Sequence, residues 1–276
     1  MNLQNIILLF GRKLISMMSD EQLRYLKKKK ERKKIIIFFQ IMIIVLLFLL
    51  WQALAEFNVI NTFLFSSPKN IFKTITSFDK NVLIRHILVT FNETMISFLI
   101  ASILGLIISS FLWFNEIVAK IFDPYLTIIN SLPKVSLGPL IIIWCGAGFN
   151  SIIFMALMIS LFLSIINLYN AFISTDSSYI TLLKSFNASK KQIFFKVILP
   201  ANKVNIFNTF KINISMSLIG VIMGELLVSK EGLGYLIMYG SQVFNINLVI
   251  TSVFILGIMS YLIYFVLMKI EKKLKQ

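Results

Sequence analysis

The stretch Ser174–Pro200, STDSSYITLLKSFNASKKQIFFKVILP, is a polar-flanked insert between two long apolar runs, and its helical design is clear. Asp176 or Ser177 is placed to cap a first helix, in which Tyr179, Leu182, Leu183 and Phe186 fall at i, i+3, i+4 and i+7 as one apolar stripe. Asn187 ends that helix, because Asn tolerates the left-handed backbone of a helix C′ position. Ser189, with Gln192 three residues on, reads as a capping box that opens a second helix. Ile193, Phe194, Val197 and Ile198 are its apolar face. Two such helices at a membrane surface offer a hydrophobic ridge to a groove on another protein, or lie in lipid headgroups; periodicity leaves both readings open.

The runs on either side settle the class. Over 276 residues the chain is 58% hydrophobic with a mean hydropathy of +0.86, beyond what a soluble domain carries. The sequence predicts an all-α integral membrane protein with six spans near 35–55, 93–114, 124–145, 150–170, 206–228 and 247–268, each long enough at about 1.5 Å per residue to cross about 30 Å of hydrocarbon. The net charge of +15 then reports orientation rather than nucleic acid. With both termini cytoplasmic, only Lys69, Lys73, Lys80, Arg85 and Lys230 of the 27 Lys and Arg fall outside, while Lys134 and Lys211 lie in spans. Residues 1–34, with a short apolar run from Ile6 to Phe10 and the charge run from Arg24 to Lys34, are expected as a basic cytoplasmic tail. They do not have the order of a cleavable leader. Residues 35–268 form the span domain, with 174–200 as its main internal loop, and 269–276 form a second basic tail. Attraction of Lys27 to Lys34 to anionic lipid follows from their charge.

Chemistry of the catalytic kind is poorly provided for. One cysteine, Cys145, excludes an intrachain disulfide and a cysteine metal cluster; one histidine, His86, argues against histidine metal or triad chemistry. No phosphate-binding GxxxxGK[ST] loop occurs, so ATP hydrolysis is not assigned to this chain, and no cofactor is expected. His86, just before the second span, is expected at the lipid headgroups, and Glu93 near the outer end of that span is expected to snorkel. Ser66-Ser67-Pro68 predicts a turn that opens a short helix. Ser102, Gly105 and Ser109, and the GxxxG of Gly220 and Gly224, suit close helix packing.

The third span is interrupted by Asn130, Ser131, Pro133, Lys134, Ser136, Gly138 and Pro139. Backbone breaks of this kind are tolerated in a membrane only where protein or a water-filled cavity covers the freed groups. Asn130, Pro133 and Lys134, with Glu225 of the fifth span, are therefore the candidate lining of a translocation pathway. A cation at Lys134 favours an anionic substrate; pairing of Lys134 with Glu93 or Glu225 is the alternative.

The Ser174–Pro200 segment resembles the cytoplasmic loop of binding-protein-dependent ABC importer permeases, whose pattern is Glu-Ala-Ala, three residues, Gly, nine residues, Ile-x-Leu-Pro. Thr181, Leu182 and Leu183, then Asn187, then Val197, Leu199 and Pro200 hold those positions here, so spacing and the Leu-Pro end match while the Glu and Gly do not. SLPKVSLGPLIIIWCGAGFN resembles the corresponding stretch of the nitrate, sulfonate and taurine branch. Glu225 followed by Gly232 to Tyr235 resembles the family segment that ends the fifth span.

The resemblance implies a type I importer permease of a bacterial plasma (inner) membrane, for a nitrate, sulfonate, taurine or thiamine-precursor pyrimidine substrate. It implies a homodimer, or a pair with a second permease, two P-loop ATPase subunits and an extracytoplasmic substrate-binding protein. Tyr179, Thr181, Leu182, Leu183, Phe186, Asn187, Leu199 and Pro200 would then couple to the ATPase. A gradient-driven transporter that uses Glu93, Lys134 and Glu225 as an ion relay is the competing reading; a membrane-embedded enzyme has no recognisable nucleophile or metal site to support it.

Overall fold

The computed structural model describes residues 20–274, and among them every regular element is helical. The run Ile6 to Phe10 and Arg12, Lys13 and Lys275 lie outside the described residues. The chain divides between Lys69 and Asn70 into two compact units.

In the first unit, α1 (Asp20–Glu56) carries the basic run and the first span on one continuous helix. Its 26-residue apolar part, Glu31–Glu56, is about 39 Å long, more than a bilayer core requires. Gln52 joins the end of α1 to the residues that follow: its Nε2 donates to Glu56 Oε1 at 2.9 Å and its Oε1 accepts from Lys69 N–H at 3.1 Å. A short α2 (Thr62–Phe65) is capped by Asn61 Oδ1, and α3 (Pro68–Ser77) opens on Pro68 as the Ser-Ser-Pro turn predicts.

The second unit is built on three long helices, α4 (Lys80–Phe114), α7 (Phe149–Ile173) and α11 (Lys203–Val228). Asp79 Oδ1 caps α4 by accepting from Asn81 and Val82 N–H groups. Small residues set the helix spacing. A Cβ on Gly224 would stand 2.9 Å from Ile152 Cα, and one on Gly220 would overlap Ala156 Cα, so the GxxxG face of α11 lies directly against α7 and the two helices run antiparallel. On α4, a Cβ at Gly105 would meet the Ser164 side chain of α7. Ser102 of α4 and Asn213 of α11 share a buried hydrogen bond of 2.9 Å.

Between α4 and α7 the chain makes the predicted break. Helix α5 (Glu116–Ser131), a 3-10 turn (Lys134–Leu137) and α6 (Gly138–Cys145) meet with an 85° bend. Leu132 takes extended backbone, as the residue before a proline prefers, and Pro139 opens α6. Among the described residues five helices are long and apolar enough to cross a membrane, or six when the bent pair counts as one span.

Beyond α7, the insert forms α8 (Ser177–Ser185), α9 (Lys190–Ile193), a π-helical turn (Phe194–Ile198) and α10 (Leu199–Ala201). At the opposite end of the bundle, α12 (Leu233–Gln242) packs on α13 (Ile246–Leu274) through Leu233, Leu236, Leu256 and Met259. Two boundaries differ from the sequence reading. α4 begins thirteen residues before Glu93, which puts Glu93 well inside the helix; α13 runs on through the basic tail to Leu274.

Candidate functional site

The 174–202 segment is a braced ridge. Asp176 Oδ1 accepts from Ser178 N–H at 2.9 Å, and that bond holds the Asp176 carboxyl below its ordinary pKa. Asn187 sits at φ +55°, the left-handed bend expected of it. Both capping-box bonds are present: Gln192 N–H donates to Ser189 Oγ at 3.3 Å, and Ser189 N–H donates to Gln192 Oε1 at 2.8 Å.

The two apolar faces part company. Ile193, Phe194 and Ile198 are buried against Leu168 and Phe172 of α7, with Trp113 and Phe114 at the edge, so the second helix packs onto its own bundle. Leu183 also turns inward to this cluster. Tyr179, Leu182 and Phe186 are left facing out at 56%, 55% and 74% exposure, at i, i+3 and i+7 on one side of α8 and its C-cap. Thr181, Asn187 and Pro200 are exposed as well, and Leu199 is half-buried. Below the ridge, Leu199 N–H donates to Phe194 O in a widened turn just before Pro200.

Asn202 closes the base of the segment. Its Nδ2 donates to Thr175 Oγ1 at 2.7 Å and to Ile198 O at 2.9 Å, and its Oδ1 accepts from Asn205 at 2.9 Å. Sequence reading missed Asn202 and Thr175; an Asn two residues beyond Pro200 was the available signal.

In the broken span, Lys134 Nζ donates to Asn130 Oδ1 at 2.9 Å across the bend, both residues half-buried and Pro133 exposed between them. The structure thus brings Asn130, Pro133 and Lys134 together. Glu225 is not with them: Lys134 bonds to an amide oxygen and makes no ion pair with Glu93 or Glu225.

Glu225 is 1% exposed, inside the contact of α4, α11 and α12. Its Oε1 accepts from Thr90 Oγ1 at 2.6 Å and its Oε2 from Gly234 N–H at 2.6 Å. Thr90 Oγ1 accepts in turn from Leu233 N–H at 2.8 Å, and His86 Nδ1 accepts from Gly232 N–H at 2.9 Å. Three successive N–H groups at the start of α12 thus end on side chains of α4 and α11. Gly232 is held at φ +103°, and a Cβ there would overlap the Glu225 carboxyl, so both the backbone and the space require glycine.

Two expectations are corrected here. His86, at 7% exposure and stacked on Tyr235, is an internal acceptor rather than a headgroup contact. Glu93, at 5% exposure, does not snorkel; its Oε2 is buried without a hydrogen-bond partner. Polar residues at 86, 90, 93 and 97 recur at helical spacing, which was the signal for this buried stripe.

The sequence reading also missed the partner of Lys211. Its Nζ meets Glu271 Oε2 at 2.8 Å, joining α11 to α13.

A helical multi-pass bundle with a span broken at two prolines and a braced helix pair, one helix of which presents an exposed apolar stripe, is the build of a membrane transport component. The chain belongs to the family described as binding-protein-dependent transport system inner membrane component, which matches residues 97–276. It is 29% identical over 217 residues to a probable ABC transporter permease protein of Haemophilus influenzae, covering 79% of this chain and 88% of the relative. It is 24% identical to the formylaminopyrimidine transport permease protein ThiX of Halalkalibacterium halodurans, over 81% of this chain and 89% of that one. It is 25% identical to the putative aliphatic sulfonates transport permease protein SsuC of Bacillus subtilis, over 82% of each. Among solved structures, a chain of the inward-facing MetNI methionine ABC transporter superposes with a TM-score of 0.65 at 20% identity, covering 71% of this chain and 99% of that chain. The gradient-driven reading finds no support in these relationships, nor in the separation of Lys134 from the two glutamates.

Proposed function

We propose that this chain is the plasma-membrane permease of an ATP-driven bacterial importer, with both termini and the 174–202 segment in the cytoplasm. The charge asymmetry of the sequence supports that orientation, and Glu271 near the C-terminal end of α13 pairs with Lys211 in the early turns of α11, just beyond the 174–202 segment that carries Lys184, Lys190, Lys191 and Lys196. Two permease chains, identical or paired with a second kind, would enclose the pathway. Two P-loop ATPase subunits would dock from the cytoplasm, and a substrate-binding protein would deliver solute from outside.

The observation that carries the reading is the ridge of Tyr179, Leu182 and Phe186. An exposed apolar stripe on a helix whose base is locked to α7 transmits a push from a docked subunit into the spans, which a loosely tethered helix in lipid headgroups cannot do. Asn130, Pro133 and Lys134 line the pathway in this scheme.

For substrate, relatives named for formylaminopyrimidine and for aliphatic sulfonates bracket the class, and the Lys134 ammonium favours the anionic member of that range. The test is affinity purification of the full chain from its native membrane, beside Leu182→Asp. A P-loop ATPase retained in stoichiometric amount by the parent chain and lost from an equally well inserted Leu182→Asp is the expected result. Equal retention by both overturns the ridge as the docking surface.

A further inference from the structure

Helices α4, α11 and α13 enclose an apolar groove of about 530 Å³, and every side chain that lines it is Ile, Leu, Val, Phe or Met. It runs from Ile87 to Phe98 on α4 and from Ile255 to Leu267 on α13, which at about 1.5 Å per residue is about 16–18 Å. That is close to the depth of one leaflet, half of a hydrocarbon core about 30 Å thick.

Both ends of the groove are marked. Ile87, Ile255 and Met259 belong also to the cluster that α12 makes through Leu233 and Leu236, so α12 stands at one end. At the other end Ile214 lies three residues after Lys211, and Leu267 lies four before Glu271. The groove therefore stops about one helical turn short of the Lys211–Glu271 ion pair, at the 174–202 end of the bundle. Along the open edge of α13, Ile258, Leu262 and Val266 follow at i, i+4 and i+8 with 46%, 55% and 56% exposure. Lys269 continues that face at i+3 from Val266. Its Nζ stands 4.5 Å from the centroid of the Phe265 ring, and it forms no ion pair among the described residues.

An apolar slot about one leaflet deep, with an unneutralised ammonium where headgroups lie, has the polarity profile of a phospholipid. A spanning helix fits it less well, because such a helix presents about 30 Å of apolar surface and the groove offers little more than half of that. We propose that the groove holds one phospholipid with an anionic headgroup, its acyl chain along Ile258, Leu262 and Val266 and its phosphate at Lys269. The chain fills the space between α4 and α13, so α13 is held to the bundle by lipid as well as by α12 and the Lys211–Glu271 pair. This inference requires only that the helices span a membrane; it does not depend on the docking ridge or on the substrate.

The test uses the full chain, reconstituted in vesicles of equal parts phosphatidylcholine and phosphatidylglycerol, released into mild detergent and weighed by native mass spectrometry. One retained lipid per chain is expected, with phosphatidylglycerol in about fivefold excess, equivalent to about 1 kcal/mol for one lysine near the surface. Lys269→Gln should keep a lipid and lose the preference. Leu262→Trp, whose indole fills the slot from an exposed position, should reduce retained lipid at least about fivefold. Where Leu262→Trp fails to insert, Leu88→Trp, 51% exposed on the α4 edge, is read in the same way. A parent that carries no lipid, a lipid held without preference for phosphatidylglycerol, or equal retention by the tryptophan variant overturns the proposal. So does a lipid-free parent with the mass of two chains that Leu262→Trp reduces to one, because the groove would then belong to a second copy.

Discussion

Asn202 Nδ2 donates to Thr175 Oγ1 at 2.7 Å, a bond that ties together the two ends of the helical insert across 27 residues of sequence. Asn202 is 4% exposed and also bonds to Ile198 O and Asn205, so one amide supports the entire base of the ridge. Asn202→Leu keeps the volume and leaves these partners unsatisfied, at a cost of about 1–3 kcal/mol. The expected outcome is normal membrane insertion with markedly weaker retention of the ATPase on purification. Thr175→Val, which removes only one partner of that amide, should show a smaller loss of the same kind.

Asn187 stands at φ +55° between α8 and α9, a conformation that costs a β-branched residue about 1–2 kcal/mol and costs glycine nothing. Asn187→Gly should therefore leave transport intact. Asn187→Val should loosen the bend, and limited trypsin digestion reads this as faster cleavage at the flanking Lys184 and Lys190. Equal digestion of the two variants would show that the bend is fixed by packing alone.

Much of this arrangement was legible because it is local. The caps at Asp176 and Ser189, the bend at Asn187, the breaks at Pro133 and Pro139 and the GxxxG of Gly220 and Gly224 each rest on residues within one or two turns of each other. Which members of a wide apolar stripe face inward was not legible: Tyr179 and Leu183 share a stripe, yet only Leu183 meets Phe172 and its neighbours. The buried cluster stayed hidden for the same reason. His86 meets Gly232 across 146 residues, and hydropathy alone started the second span at Glu93 although the helix begins at Lys80. Helical periodicity holds no information about such pairings; only the polar spacing of 86, 90, 93 and 97 hinted that one face of α4 was unlike the rest.

Lys134 can be examined through the chain's own composition. Cys145 is the single cysteine, so a Cys145→Ser background makes Lys134→Cys a unique thiol. A pathway position is expected to react with a membrane-impermeant thiol reagent at a rate that changes at least about tenfold between ATP-bound and nucleotide-free complexes, equivalent to about 1.4 kcal/mol in access. A rate that is the same in both states removes Lys134 from the moving part of the pathway. Asn130→Cys serves as the companion position, since the two side chains bond to one another at 2.9 Å.

Lys211 and Glu271 give a cleaner measure of how α11 and α13 depend on each other. Their side chains are 19% and 15% exposed, so removal of one leaves the other charge largely desolvated. Breaking such a pair costs about 3 kcal/mol, far more than a surface ion pair contributes. Lys211→Glu sets two carboxylates against each other and should lower the thermal midpoint in detergent by several degrees. The double variant Lys211→Glu with Glu271→Lys restores opposite charges on the same two helices and should recover most of that loss. Recovery would assign the stability to the pair itself. Failure of the swap would instead place it in the separate surroundings of each side chain, and the link between the fifth span and the C-terminal helix would then rest on apolar packing.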